Sequence, residues 1–450
     1  MLVTLLFLSG LSLASADVPV FCLYEEIRGT WTFFEGERTG NHTLDCGDFQ
    51  EPVHNQTFTL DYPNTVIDAF GNVGTWTMMV SEGFEVNING RSYYAYFFYD
   101  GEPPETVSHC DRTLPGWARD KTVRNWSCFF GRKDTPVPPR KTSLPRPVPR
   151  PSGKENFQND HKLIERINSA QKSWWAKPYP EFENYTMEQM LHRAGGKRKL
   201  NFPGKASPIT DEQRSAMENL PLNFDWRDVD GVDYVSPIRD QGACGSCYSF
   251  ASMALLESRL RVATKNQRKD IFSPQDAMTC TVLGQGCEGG YIFLTGGRHS
   301  MEQGVVAEEC NPYREQDEPC DTDMTCPRTY VSQYEFVGGY FGATNEANMM
   351  QELVANGPIG VAILMSSDLL YYGGGIYYNT GLVTNFDPFE FADHAILCVG
   401  YGVDETTGEK YWILKNSWGE SWGEQGYFRV KRGVDEQAIE SCATTVTVIP

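Results

Sequence analysis

The sequence predicts an α+β chain built as separate units. Three observations carry that expectation. Short aromatic and β-branched runs, separated by turn residues, fill the first 130 residues or so; a proline-rich stretch follows at 134–153; from Leu220 to the C-terminus the composition is mixed and Gly-rich. A length of 450 residues exceeds what one ordinary core accommodates, so two or three folding units are expected.

Taken in order, residues 1–16 read as a signal peptide. The apolar run Leu2–Leu8 is short, and Ala14-Ser15-Ala16 supplies small residues at a cleavage site, although no Lys or Arg precedes the run. The mature chain is expected to begin at Asp17. Residues 17–132 read as β: Thr30–Phe34, Thr57–Leu60, Thr75–Val80, Phe84–Ile88 and Tyr93–Tyr99 are strands separated by Gly, Asn, Asp and Pro. Such spacing suggests an antiparallel barrel or sandwich. Cys22, Cys46, Cys110 and Cys128 are available to staple it. Pro136, Pro138, Pro139, Pro145, Pro147, Pro149 and Pro151 mark 134–153 as an extended linker. His161–Trp174 carries Leu163, Ile164, Ile167, Ala170 and Trp174 at helical spacing, and the basic run Lys197-Arg198-Lys199 follows.

Charge and cysteine content narrow the function classes. The net charge of −20 argues against nucleic acid as a partner. Residues 133–219 hold 16 Lys/Arg against 10 Asp/Glu, so this basic segment sits between units that together carry −26 and could dock on them electrostatically. No stretch reaches the length of a membrane span. Thirteen cysteines suit an oxidising secretory route, and the odd count leaves at least one thiol unpaired. Asn41, Asn55, Asn125 and Asn184 open N-x-S/T sequons and are candidate glycosylation sites. Lysosome or cell exterior is the expected destination.

The chemistry resides in Gln241, Cys244-Gly245-Ser246-Cys247, His394 and Asn416-Ser417-Trp418-Gly419. A thiol attacks as its thiolate, which a neighbouring imidazolium or the positive end of a helix stabilises. No Gly or Pro interrupts Tyr248–Thr264, where Phe250, Ala254, Leu255, Arg259 and Val262 recur at helical steps, so Cys247 is placed at a helix N-terminus. His394, 147 residues on, would be the proton acceptor and donor; Asn416, 22 residues further, would orient its ring under cover of Trp418. Gln241 would add its side-chain amide to the Cys247 N–H as an oxyanion hole. Cys-x-x-Cys also occurs in redox pairs and zinc sites, but no second such motif and no βαβ context accompany this one.

These residues resemble the papain family of cysteine peptidases, through Cys244-Gly-Ser-Cys-Tyr-Ser-Phe-Ala-Ser-Met, Gln285-Gly-Cys-Glu-Gly-Gly and Lys415-Asn-Ser-Trp-Gly. The N-terminal β unit extends the resemblance to the branch of that family that releases dipeptides. The resemblance implies a papain-like two-lobed peptidase domain at 220–450, with a helical lobe and a β-barrel lobe, behind a separate antiparallel β-barrel "exclusion" domain at 17–132. It implies an activation propeptide at 133–219, removed by an activating protease, and a further cut near Thr384–Phe389. It also implies disulfides Cys22–Cys110, Cys46–Cys128, Cys244–Cys287, Cys280–Cys320 and Cys310–Cys326, leaving Cys247, Cys398 and Cys442 as thiols. Peptides and proteins with a free N-terminus are the implied substrates, with Asp17 receiving the substrate ammonium. A homotetramer is implied as well. A papain-like endopeptidase, with the β unit acting only as a folding propiece, is the alternative.

Two departures from the family pattern matter. Gly290, Ala395 and Cys442 match the positions that line the second subsite, and Cys442 stands where Ile is familiar. The branch is chloride-activated through two tyrosines, whose positions are Phe293 and Phe336 here; neither can donate a hydrogen bond, leaving only a backbone N–H such as that of Tyr291. No cofactor is expected to be required, no metal is expected, and chloride activation is expected to be weak or absent. Asp393, ahead of His394, stands where Asn is typical and is expected to favour the imidazolium.

Overall fold

The computed structural model describes residues 18–102, 105–143, 154–195, 205–383, 387–391 and 393–450. Asp17, the leader and Lys197-Arg198-Lys199 therefore lie outside the described residues.

The N-terminal unit is a closed antiparallel barrel. Its strands are β1 (Gly29–Glu35), β2 (His54–Asp61), β3 (Thr65–Asp68), β4 (Val73–Met79), β5 (Gly83–Ile88), β6 (Arg91–Glu102), β7 (Glu105–Thr113), β8 (Gly116–Asp120), β9 (Trp126–Lys133) and β10 (Arg140–Ser143). The order β1-β2-β3-β4-β5-β6-β8-β9 closes through β1–β9 pairing, with Phe34 opposite Phe130. Alternation drives the closure: along β2, Phe58 and Leu60 are buried while Thr57 and Thr59 face water. Inside, Phe33 stacks on Phe84 at 5.6 Å and meets Phe58, Tyr93 and Phe129 at 5.0–5.3 Å. Cys22–Cys110 and Cys46–Cys128 are disulfide-bonded across 88 and 82 residues of chain. Arg140–Ser143 corrects the expectation of a bare linker, because it pairs with β7 from Ser143↔Glu105 to Arg140↔Ser108. Asn41, Asn55 and Asn184 are exposed; Asn125 is half-buried and accepts from Arg91 at 3.0 Å.

The C-terminal unit packs helices against a sheet to which it contributes eight strands. The helix Cys247–Ala263 runs through the core with buried residues on all sides. Buried charges on it find partners: Arg259 reaches Glu352 at 2.7 Å and the carbonyls of Pro358 and Val446, and Glu257 Oε1 accepts from the Phe272 N–H at 2.8 Å. In the sheet, Asp393–Val403 lies between Ile359–Leu364 and Lys410–Lys415. Cys244–Cys287, Cys280–Cys320 and Cys310–Cys326 bridge the helical side, and Cys247, Cys398 and Cys442 are thiols. Burial pushes the Cys398 thiol up, as expected of a core residue.

Residues 154–195 lie across the peptidase unit. The helix His161–Ala170 buries Leu163, Ile164 and Ile167. It ends before Trp174, shorter than the periodicity suggests, because Trp174–Ala176 joins the edge of the sheet beside Tyr372–Tyr377. The docking is largely aromatic. Trp174 meets Tyr377 at 5.0 Å, Tyr179 stacks on Trp422 at 6.5 Å, and Phe182 meets Trp418 edge-on at 6.1 Å.

Candidate active site

Cys247 is the first residue of its helix, with Ser246 at the N-cap. The unpaired N–H groups and positive end of the helix favour a thiolate there. The turn before it is held by the Gly245 N–H to the Cys287 carbonyl at 2.9 Å and by Ser246 Oγ against Tyr313 Oη at 2.6 Å. Beside the helix, a Cβ on Gly290 would sit 2.3 Å from the Tyr248 ring, so only glycine allows that wall to close on the helix.

His394 lies on the strand Asp393–Val403 and is 1 % exposed. Its Nε2 is 2.7 Å from Asn416 Oδ1, and its Nδ1 has no protein hydrogen-bond partner. The bond to Asn416 fixes the tautomer and leaves Nδ1 as the nitrogen available for proton exchange. The Trp418 indole lies 5.0 Å from the imidazole and keeps water from the His394–Asn416 bond. Burial, the largest influence, lowers the His394 pKa to about 4; Asn416 opposes that and Arg193 adds to it. The Asp393 charge bears on Cys442, whose thiol burial and Asp393 push up to about 12. Gln241 is fully buried: its Oε1 accepts from Ser417 Oγ at 2.6 Å and its Nε2 donates to the Cys244 carbonyl at 2.9 Å. Those bonds hold the amide beside the turn that carries Cys247.

Cys247 and His394 line one cavity of about 60 Å³ with Gly290, Ala395 and Cys442. Met79 and Val80, at the end of β4, line the same cavity, so the barrel supplies one of its walls. At its base Phe293 and Phe336 stack face to face, with centroids 4.3 Å apart and planes at 6°. Neither ring offers an N–H or O–H, and the nearby Tyr291 hydroxyl donates to Glu82 Oε1 at 2.6 Å. An anion needs donors, whereas this base presents two hydrocarbon faces and, next to them, a carboxylate.

The papain family cysteine protease model matches residues 220–447, and the cathepsin C exclusion domain model matches 17–133. The chain belongs to the papain family of cysteine proteases. Among its curated relatives, cathepsin C of Schistosoma mansoni is 38 % identical over 97 % of this chain and 96 % of its own. Of solved structures, the digestive procathepsin L2 proteinase of Tenebrio molitor larval midgut is 28 % identical with a TM-score of 0.52, covering 64 % of this chain and 88 % of that one. Procathepsin B S9 of Trypanosoma congolense shares the fold at 23 % identity and TM-score 0.53, over 65 % of this chain and 98 % of that one. The papain-family domain is thus joined to a second, cathepsin C-type unit, and the protein is a cysteine peptidase.

The papain-family cleft is covered by residues that sequence reasoning did not single out. The helix Met187–Arg193 starts at a Thr186/Gln189 capping box, the one local signal that pointed to it. Arg193 at its end is 2 % exposed and donates to Asp240 Oδ1 at 2.7 Å and to the Gly242 carbonyl at 2.9 Å. Gly195 then lines the cavity beside Cys247, with φ +111 and so little room that a Cβ would lie 1.8 Å from the Asp393 carbonyl oxygen. Arg193–Asp240 at 2.7 Å and His192–Glu288 at 3.4 Å are the ion pairs that tie residues 154–195 to the peptidase unit among the described residues, and Arg140 pairs with Glu26 of the barrel at 2.6 Å. Of the expected cut near Thr384–Phe389, residues 384–386 lie outside the described residues, while Asp387 and Phe389 are buried and Asp387 holds Ser367 through two bonds of 2.6–2.8 Å. No helix among the described residues is long and apolar enough to cross a membrane.

Proposed function

We propose that the chain is the precursor of an exopeptidase that releases dipeptides from free N-termini of peptides and proteins. The observation that carries this reading is the barrel wall: Met79 and Val80 close the cavity that holds Cys247 and His394. A papain-type cleft continues past its second subsite; here the barrel ends it. An acidic side chain at Asp17, the first residue of the mature chain, would receive a substrate ammonium.

In the proposed reaction the Cys247 thiolate attacks the carbonyl carbon of the second peptide bond. The oxyanion accepts hydrogen bonds from the Gln241 amide and the Cys247 N–H. The His394 imidazolium gives its Nδ1 proton to the leaving amine as the C–N bond breaks, leaving a thioester on Cys247. Neutral His394 then takes a proton from water, which attacks the thioester, and returns that proton to the departing Sγ. Gly290, Ala395 and Cys442 line the pocket for the second side chain.

Maturation fits the same scheme: loss of the leader to Asp17, then of 133–219, frees the cleft from Arg193 and Gly195. Secretory passage, four glycans, a lysosomal or extracellular site of action and a homotetramer complete the proposal. N-terminal sequencing of the active protein tests it. One mature chain is expected to start at Asp17, and none to contain 154–195; a mature chain starting at Met1 would contradict the ammonium site. Cys247→Ser is expected to abolish turnover, and retained activity would contradict the mechanism.

A further inference from the structure

The seam between barrel and peptidase holds a buried ion cluster beside a cavity that Glu85, Arg119 and Tyr334 line. Arg298 Nη1 is 3.3 Å from Glu85 Oε2 and its Nη2 2.8 Å from Glu302 Oε1, while Arg119 Nε is 2.5 Å from the same Glu302 oxygen. The four side chains are only 1–7 % exposed and their charges cancel. Glu85 and Arg119 belong to β5 and β8 of the barrel; Arg298 and Glu302 belong to the helical segments Phe293–His299 and Ser300–Glu302 of the peptidase. Two more contacts cross the seam: Tyr334 Oη donates to Glu85 Oε2 at 2.6 Å, and the Arg298 guanidinium lies 4.6 Å from the centroid of Tyr94.

Each end of the cluster connects through a short rigid path to a wall of the catalytic cavity. On the barrel side, β4 and β5 pair Met79 with Gly83 and Thr77 with Glu85. On the peptidase side, Arg298 shares its helical segment with Phe293, and Tyr334 shares its strand with Phe336 two residues on. Apolar contact alone is non-directional and tolerates sliding, whereas paired charges with defined geometry select one arrangement.

We propose that Glu85, Arg119, Arg298 and Glu302 form a positioning cluster that fixes the barrel against the peptidase and so sets how many residues fit ahead of the scissile bond. This rests on the dipeptide-releasing reading above. Breaking the cluster leaves an uncompensated buried charge at a seam, which water relieves by entering as the barrel shifts away from the cleft.

The test compares the mature parent with Arg298→Met, Arg298→Lys and the charge-neutral double variant Glu85→Gln/Arg298→Met, on a dipeptidyl arylamide with a free amine and on an N-acetylated peptide. Arg298→Met is expected to raise KM for the arylamide about tenfold with kcat within about twofold, and to begin cutting the acetylated peptide. Arg298→Lys is expected to return both readouts toward the parent, whereas the double variant, which stays charge-neutral but lacks the cross-seam pair, is expected to keep the raised KM. Arg298→Met with parental KM and no cleavage of the acetylated peptide would overturn the proposal, whatever its thermal stability. Should Arg298→Met not mature, the double variant decides: a tenfold rise in KM supports the cluster's role, and parental KM with the acetylated peptide intact overturns it. A parent that releases no dipeptides would instead overturn the functional reading, so the two failures are distinguishable.

Discussion

Arg193 and Trp418 hold each other twice. The Trp418 Nε1–H donates to the Arg193 carbonyl at 3.1 Å, and Arg193 Nη2 donates back to the Trp418 carbonyl at 3.2 Å. The same indole covers His394, so the residue that dries the catalytic pair is also the one that the covering segment grips.

Arg193→Ala should therefore loosen that segment. It removes a buried guanidinium that has three oxygen partners and three ring partners and leaves the Gly242 and Trp418 carbonyls without their donors, a loss of about 2–5 kcal/mol. Processing of the purified precursor to active enzyme is expected to be faster than for the parent at the same pH, followed by gel and by activity.

The closed precursor should also be sensitive to acid through His394. Its pKa lies near 4 when closed, against an ordinary value of 6.5, because burial disfavours the charged ring. An opened or unfolded chain therefore binds the proton more readily between those values. The stabilisation is fully present above pH 6.5 and is lost as the pH falls toward 4, up to about 3 kcal/mol. In a Cys247→Ala precursor, which cannot process itself, the thermal midpoint is expected to fall across that window, and adding His394→Gln is expected to flatten the fall.

Gln241 should act on the transition state rather than on binding. Its amide is held by Ser417 and the Cys244 carbonyl beside the nucleophile's turn. Gln241→Ala is expected to lower kcat by about 10²–10³ with KM near the parental value. Steady-state kinetics on a dipeptidyl arylamide check this.

Removing chloride should cost little. Two stacked phenylalanine faces form the cavity base, and the Tyr291 hydroxyl is engaged by Glu82. After dialysis into chloride-free buffer the rate is expected to stay within about twofold of the starting value. Severalfold recovery on adding chloride would contradict that account.

How legible these features were in the sequence depended on how local their causes are. Thr30–Phe34 and Phe84–Ile88 read as strands because inward aromatic and aliphatic residues alternate with outward polar ones, and they lie within β1 and β5. β7 escaped notice because Glu105–Thr113 is mostly polar, with Val107 and Cys110 its only apolar residues; it owes its pairing to β6 and β10 rather than to its own composition. Trp174 fits a helical period and yet sits in a strand, because sheet pairing with Gly375 and the bond from its indole to the Tyr378 carbonyl outweigh local preference. Within the site, Cys247, His394 and Asn416 announce themselves through residue type and neighbours. Arg193 does not: nothing near it in sequence reveals that Asp240, Gly242 and Trp418 converge on it from 47 to 225 residues away.

The central claim is that the barrel limits Cys247 to the second bond from a free N-terminus. The most direct measurement is to incubate the mature enzyme with a decapeptide and its N-acetylated twin and to follow the products by mass spectrometry. Successive loss of dipeptides from the free peptide, with the acetylated twin intact, is the predicted result. Cleavage at internal bonds of both peptides would contradict it and identify an endopeptidase.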